Sequence, residues 1–385
     1  MKCKKAIAMI MMLAVVLAML TVTALPVSAA ASTITIVNTT VTDVSTVTVD
    51  VKVTGKIAAF GGTIVHDTSK LTLTKIENTG ALKGLFVSDL TKKSFAFANA
   101  SNTTLNNAVV LKLSFSIKSG VAGAAKVNFE DDLFVVSEDG KIVTSEVKAG
   151  TVNILRNATK ITAKPTSMQL TKGTSATLAY TLTPSYATDK ITFSSSDTKV
   201  ATVNKTTGLI QAKDPGVATI TMQGAAKSAT CKVTVHNYVS LRVNYEKAIQ
   251  NGVQTQVDDV GTKPFILDGR TMLPLRFVGE KMGGKVKYVS ISQPIVMTYG
   301  TKKVEFLLNS KTMTVYTENE KTTVTLDVAA QLRGEKTYIP LRAIGQALGF
   351  QVYYEAGSEI IIVNTPQMTS AVKTERLNEA RDYIK

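Results

Sequence analysis

The sequence predicts a mainly β chain built from three modules in series, the last of which also carries short helices. Three observations lead there. Apolar residues alternate with Thr, Asp and Lys in short runs, as in Val47, Val49, Val51 and Val53 of "STVTVDVKV", and a period of two marks a half-buried strand. Turn-forming clusters such as "ENTG", "NASNTTLNN" and "KSGVAG" punctuate these runs. A segment starting at Thr271 recurs from Thr337, each copy opening a helical stripe just after a proline, which confines the clearest helical signal to the last third.

The length, 385 residues, suits roughly two to three domains. With 44% hydrophobic and 19% charged residues the chain can bury cores, which excludes a polymer-like disordered protein. Lys2, Lys4 and Lys5 precede an apolar stretch, Ala6 to Leu20, and "LPVSAA" supplies a small-residue exit. Residues 1–30 are therefore expected to be a signal peptide cut near Ala29 or Ala30, its apolar stretch being shorter than the ~20 residues a spanning helix needs. The alternative is an uncleaved amino-terminal anchor. The expected location is secreted, extracellular or cell-surface associated, with no stable transmembrane anchor after cleavage. No carboxy-terminal anchor or sortase-type signal is visible, so nothing supports covalent attachment.

Charge and reactive residues narrow the function further. Losing the three lysines of the signal lowers the net charge from +15 to +12. The excess is spread: 13 basic against 11 acidic residues over 31–156, and 9 against 3 over 157–236. A diffuse positive field without a basic helix or stacking motif excludes specific nucleic-acid recognition. After processing only Cys231 remains, and "ATCKVTV" places it on a strand face with Val233 and Val235, where it reads as a small buried hydrophobe, with an intermolecular or reactive thiol as the alternative. His66 and His236 read as surface or turn residues, and no His/Cys set has metal-ligand spacing. Glu130, Asp131, Asp132, Glu138 and Asp139 read as a solvated acidic edge, with calcium as the alternative. The serines of "FSSSD" are expected to bond their own backbone, since no histidine base lies within their module. No catalytic, cofactor-binding or metal-ligating residue is assigned, and no enzyme activity is expected.

The first segment, 31–157, adds the alternating run Val109, Leu111, Leu113, Phe115 and Ile117, and the shorter pair Leu71 and Leu73. Short strands with one polar face predict two antiparallel sheets packed face to face, because a single sheet would leave its apolar face wet. The order "VDVKVTG", "GGTIVHDTSKLTLTKIENTG", "VVLKLSFSIKSGVAGAAKVNFEDDLFVVSEDGKIV" and "GTVNI" resembles a cohesin domain, with His66-Asp67-Thr68 where a Tyr-Asp-Pro-like turn is usual. That resemblance implies a jelly-roll-like sandwich with one sheet face that receives a dockerin, a small helical module on another protein. A carbohydrate-binding sandwich is the related reading, weakened by the absence of Trp.

Over 158–236, Gly173, Gly208 and Gly216 mark turns, and Val200, Ala201 and Val203 supply a short inward strand. This pattern resembles the bacterial Ig-like domain of group 2, a β-sandwich, and implies spacing between modules rather than chemistry.

In the third segment, 237–365, "TMLPLRFVGEKMGGKVKYV" recurs as "TYIPLRAIGQALGFQVYYE" 66 residues later. Leu275, Val278 and Met282 form one helical stripe, and Leu341, Ile344 and Leu348 the other, with Gly283 and Gly349 as stops. Asp268-Gly269 reads as a tight turn into the first copy. Arg276 and Arg342 sit early in the helices, where the helix field disfavours a cation, so each is expected to fix loop carbonyls or a carboxylate, with an anionic-ligand site as the alternative. The two "PLR" signatures resemble the copper amine oxidase amino-terminal-like (stalk) domain, which implies an α+β surface module whose copper ligands belong to a different domain. Residues 366–385 read as a polar tail that can form a short helix, with a weak stripe of Val372, Leu377 and Ala380.

Together these features predict a noncatalytic extracellular binding and display protein. Its cohesin-like module would receive a dockerin-bearing protein, with a link to polysaccharide degradation. The alternative is a carbohydrate-binding or cell-wall adhesion protein whose partner is a cell-wall or plant polysaccharide. No cofactor is expected.

Overall fold

The computed structural model describes residues 32–137 and 140–385. The expected signal segment, and Glu138 and Asp139 of the acidic set, lie outside the described residues. The fold is mainly β, with helices at Leu275–Lys281, Leu341–Leu348 and Ser370–Tyr383 among the described residues. The chain divides into two compact units, Met1–Thr159 with Leu182–Lys190, and Lys160–Thr181 with Ile191–Lys385.

The first unit is organised by one long strand, Thr46–His66. Val47, Val49, Val51 and Val53 point inward as the alternation predicts, and all are buried. Its early part pairs with Ser32–Ile36 and its last residues, Ile64 to His66, pair with Val127 to Phe129 of a second sheet. The same strand therefore serves both sheets, with register shifts after Val51, Val53 and Ile57 where it bends. The partner strand Ser94–Ile117 departs from the expected alternation at one place. Leu111, Leu113, Phe115 and Ile117 are buried as expected, but Val109 is only half-buried and Val110 is fully buried. The cause is the register shift that sets Val51 opposite Leu111 but Lys52 opposite Val109.

In the second unit, the strand Ser228–Arg242 runs through the expected boundary at 236/237. Its first half pairs with Gly216–Gln223 and, in parallel, with Ser167–Thr171; its second half pairs with Lys247–Gln250 and Ile360–Thr365. Cys231 is fully buried beside Val233 and Val235, as its parity requires. Both repeat helices form where the stripes place them, and Leu275, Val278, Met282, Leu341, Ile344 and Leu348 are all buried. Gly349 caps the second helix at φ 91°, a left-handed conformation that costs glycine little. The two copies pair through equivalent strands: Leu273 lies opposite Ile339, with Met272 opposite Pro340 and Pro274 opposite Tyr338. Leu273 and Ile339 are equivalent positions of the repeat, and the two flanking pairs exchange the equivalents of Met272 and Pro274 about them, which is the register of a local pseudo-two-fold. In the polar tail the expected helix forms at Ser370–Tyr383, and Ala380 of its stripe is buried in a cluster with Tyr238, Ile249, Ile360 and Ile362.

Candidate functional site

In the first unit, four strands present an outward face whose composition stands apart. Leu85–Asp89, Ser94–Ile117, Thr46–His66 and Phe134–Val136 lie side by side. Phe60, Phe95, Phe97 and Val135 point inward and are buried, so the residues alternating with them point out. The register aligns them in two rows across the sheet. Leu85, Ala98, Ala59 and Val136 form one; Val87, Ala96, Gly61 and Phe134 form the other. Leu85 is 51% exposed and Val87 39%, whereas the Ala and Gly positions between the rims carry almost no side chain. The result is a flat apolar trough with small residues along its middle.

Gly61 is required there by contact rather than by backbone angle. A Cβ at Gly61 would lie 2.7 Å from Phe134 Cζ and 2.8 Å from the Phe95 carbonyl oxygen, so the Phe134 ring can fold onto the sheet only over a glycine. At one end of the trough the third row is polar: Asp89, Ser94 and Thr63. Thr63 donates to Asp132 through its backbone N–H (2.9 Å) and its hydroxyl (2.6 Å), which ties that carboxylate to the sheet. Among the described residues no three His, Cys, Asp or Glu side chains gather as metal ligands do.

In the sequence, Gly61, Phe134 and Val136 of this face lie within the cohesin-like motifs without standing out, and "SFAFANA" carries the remaining signal, its phenylalanines alternating with Ser and Ala. Small side chains contribute little to a hydrophobic pattern, so the outward half of that alternation leaves only a faint mark on the sequence.

Other residues singled out by sequence fall elsewhere. His66 is buried rather than a surface residue: its ring lies 5.3 Å from that of Phe115, and its Nδ1 has no partner. Burial and the nearby Lys93 lower its pKa, against a smaller opposing effect of Asp67. Asp67 accepts bonds from the Ser69 backbone and hydroxyl, forming the turn expected at His66-Asp67-Thr68, and the Ser69 hydroxyl is the main cause of its lowered pKa. His236 is also buried, because its strand continues past Val235; its ring nitrogens lie 2.6 Å from Gln169 Oε1 and 3.1 Å from the Pro366 carbonyl oxygen. With two histidines in the whole sequence, both enclosed in this way and in different units, the residues present do not fit a copper centre. Of the "FSSSD" serines, Ser195 bonds locally as expected, its Oγ donating to the Asp197 carbonyl at 3.1 Å, whereas Ser196 Oγ accepts from the Thr219 N–H of the strand Gly216–Gln223 at 2.9 Å. Neither repeat arginine fixes a loop. Arg276 reaches only Glu280 of its own exposed helix face, at 3.9 Å, and Arg342 is exposed with no hydrogen-bond or ion-pair partner among the described residues.

Comparison with known proteins adds two family matches. Residues 157–233 match the bacterial Ig-like domain (group 2), and residues 256–363 match the copper amine oxidase N-terminal domain. The two matches fall on separate stretches of the chain. It is 32% identical over 123 residues to an Ig-like virion protein of Serratia phage KSP90, a stretch that covers 31% of this chain and 47% of that protein. The chain therefore spans about half the length of this curated relative. Solved structures similar to it include the third ScaB cohesin of R. flavefaciens in complex with a group 1 dockerin, at 21% identity and TM-score 0.31, covering 34% of this chain and 98% of that one. Another is the non-cellulosomal cohesin of Archaeoglobus fulgidus, at 14% identity and TM-score 0.29, covering 33% and 92%.

Proposed function

We propose that the first unit receives a helical protein module on the trough of its outward sheet face, and that the protein is exported and acts as a noncatalytic binding and display chain. The carrying observation is the pair of cross-strand rows with larger apolar side chains at both rims and Ala or Gly between. Four strands at the usual ~4.8 Å spacing span roughly 14 Å, wide enough to seat a helix of about 10–12 Å diameter. A docked helix would cover Leu85 and Val87 and pack over Ala59, Ala96 and Ala98, whose small side chains give its backbone room, against the Phe134 ring that covers Gly61. A sugar ring would find less purchase, because Phe134 is the only aromatic residue in the two rows and its ring is folded over Gly61. The Ig-like segment supports an extracellular setting, and the division into modules at 31–157, 158–236 and 237–365 belongs to the same proposal.

The test is calorimetric titration of the full chain with dockerin-type modules and, in parallel, with soluble cellulose, xylan and wall fragments. A dockerin-type module is expected to bind, burying roughly 1,200–2,000 Å² in total. Ala96→Lys, at the centre of the trough, should weaken it by about 2 kcal/mol or more, and Thr48→Lys, outside the trough on the same strand system, should leave it unchanged. Carbohydrate binding without any response to dockerins would replace this reading by the adhesion alternative.

A further inference from the structure

The two copies of the internal repeat allow one helix to serve as a control for the other. Beside the helix Leu341–Leu348 lies a cavity of about 370 Å³, floored by Leu341 and Ile361, both buried, and bordered by Ala343, Gln346 and the guanidinium-bearing Arg342. That volume falls in the ~300–1,000 Å³ range of small-molecule sites. Two substitutions between the copies bear directly on it. Where the first copy has Phe277, a ring packed against the core, the second has Ala343, which leaves the space beside the helix open. Where the first has Glu280, the i+4 partner of Arg276 at 3.9 Å, the second has Gln346. The first copy thus carries a ring and a paired arginine at these positions, whereas the second carries an alanine and an unpaired arginine at the edge of a cavity.

The remaining charges limit what fits. Arg270, also at the cavity, is already held by Asp327, Nε to Oδ2 at 2.6 Å. The Asp327 carboxylate disfavours a multiply charged anion, and Arg342 supplies one uncompensated positive charge. A single guanidinium above an apolar floor is matched by a planar monoanion carried on an apolar body.

We propose that this cavity binds a small carboxylate ligand, with the Arg342 fork on the carboxylate and the apolar portion on the Leu341 and Ile361 floor. The carboxylate is either the chain end of a peptide or that of a free aliphatic acid.

The experiment titrates the full chain by calorimetry and by NMR with N-acetyl-leucine, with hexanoate, and with N-acetyl-leucine amide as the uncharged control. Both carboxylates are expected to bind and the amide to bind at least about tenfold more weakly. Tighter binding of N-acetyl-leucine assigns the peptide source, and tighter binding of hexanoate the aliphatic one. Arg342→Gln should lose about tenfold or more for either acid. Ala343→Phe and Gln346→Glu, each of which restores the residue of the first copy, should weaken binding similarly while the thermal midpoint stays put, which separates loss of the site from loss of the fold. Absence of binding by both carboxylates, equal binding of acid and amide, or wild-type affinity in the restored variants would each overturn the proposal.

Discussion

At the scale of single residues, the buried polar groups of the two units govern how stability responds to solution conditions. His66 ends the long strand with its ring against Phe115 and an unpartnered Nδ1, and burial lowers its pKa below the ordinary 6.5. The unfolded chain then binds the proton at higher pH than the folded one, so stability is fully present above pH 6.5 and declines as pH falls through that value toward the folded pKa. His236 acts in the same direction in the second unit, burial again being the main cause. The lowered carboxylates Asp67, Asp258, Glu305 and Glu355 add a separate loss below about pH 4.5. Denaturant midpoints measured from pH 8 to pH 5 should therefore fall, and His66→Leu should flatten the slope for the first unit; an unchanged slope would remove His66 as the cause. Tyr238 is a second such residue. Fully buried, it donates to Glu379 Oε2 at 2.6 Å and accepts from Arg376 Nη1 at 2.8 Å, and burial followed by the Glu379 bond raises its pKa. Tyr238→Phe should cost about 1–2 kcal/mol in chemical denaturation, since it removes both bonds while the Arg376–Glu379 ion pair remains.

At the scale of elements, what the sequence revealed depended on how far a local pattern decides burial. The Val47 to Val53 run and the two helical stripes were legible because each apolar residue occupies the face its period assigns. The bulge at Val110 was not, because a register shift is set by the partner strand and leaves no mark on the residues themselves. Nor was the burial of His236, which depends on the strand continuing to Arg242 to meet Ile360–Thr365. The carboxy-terminal helix shows a third case. Its stripe of Val372, Leu377 and Ala380 was visible but weak, and it docks because Met368 and Ile384, just outside the helix, share the same cluster. Asp at position 380 would bury an unpaired carboxylate in that cluster. Ala380→Asp is expected to destabilise the second unit by roughly 2–4 kcal/mol and to release the helix to rapid amide exchange, whereas Ala371→Asp, at an exposed position of the same helix, should do neither. Wild-type exchange protection in Ala380→Asp would mean that the helix is not held by this face.

At the scale of the whole molecule, the continuity of Ser228–Arg242 decides how many parts unfold as one. The sequence resemblances divide the chain into three modules, and the Ig-like and copper amine oxidase N-terminal matches fall on separate residue ranges. Within the second unit, however, one uninterrupted strand contributes Cys231, Val233 and Val235 to the Ig-like core and Val239 and Leu241 to the next core. His236 lies between these two sets and ties the strand to Gln169 and Pro366. Unfolding either half frees one end of the strand on which the other half is built, so the two halves are expected to lose structure together. Calorimetry of the full chain should accordingly resolve two transitions, one for each compact unit, rather than three. A substitution confined to the Ig-like core makes the test specific. Ala218→Asp, at a fully packed position opposite Val233, should lower exchange protection not only in Gly216–Gln223 but also in Ile360–Thr365, which pairs with the far half of the shared strand. If protection at Ile360–Thr365 stays at its wild-type level while Gly216–Gln223 opens, the strand is a passive link and the three modules are energetically independent.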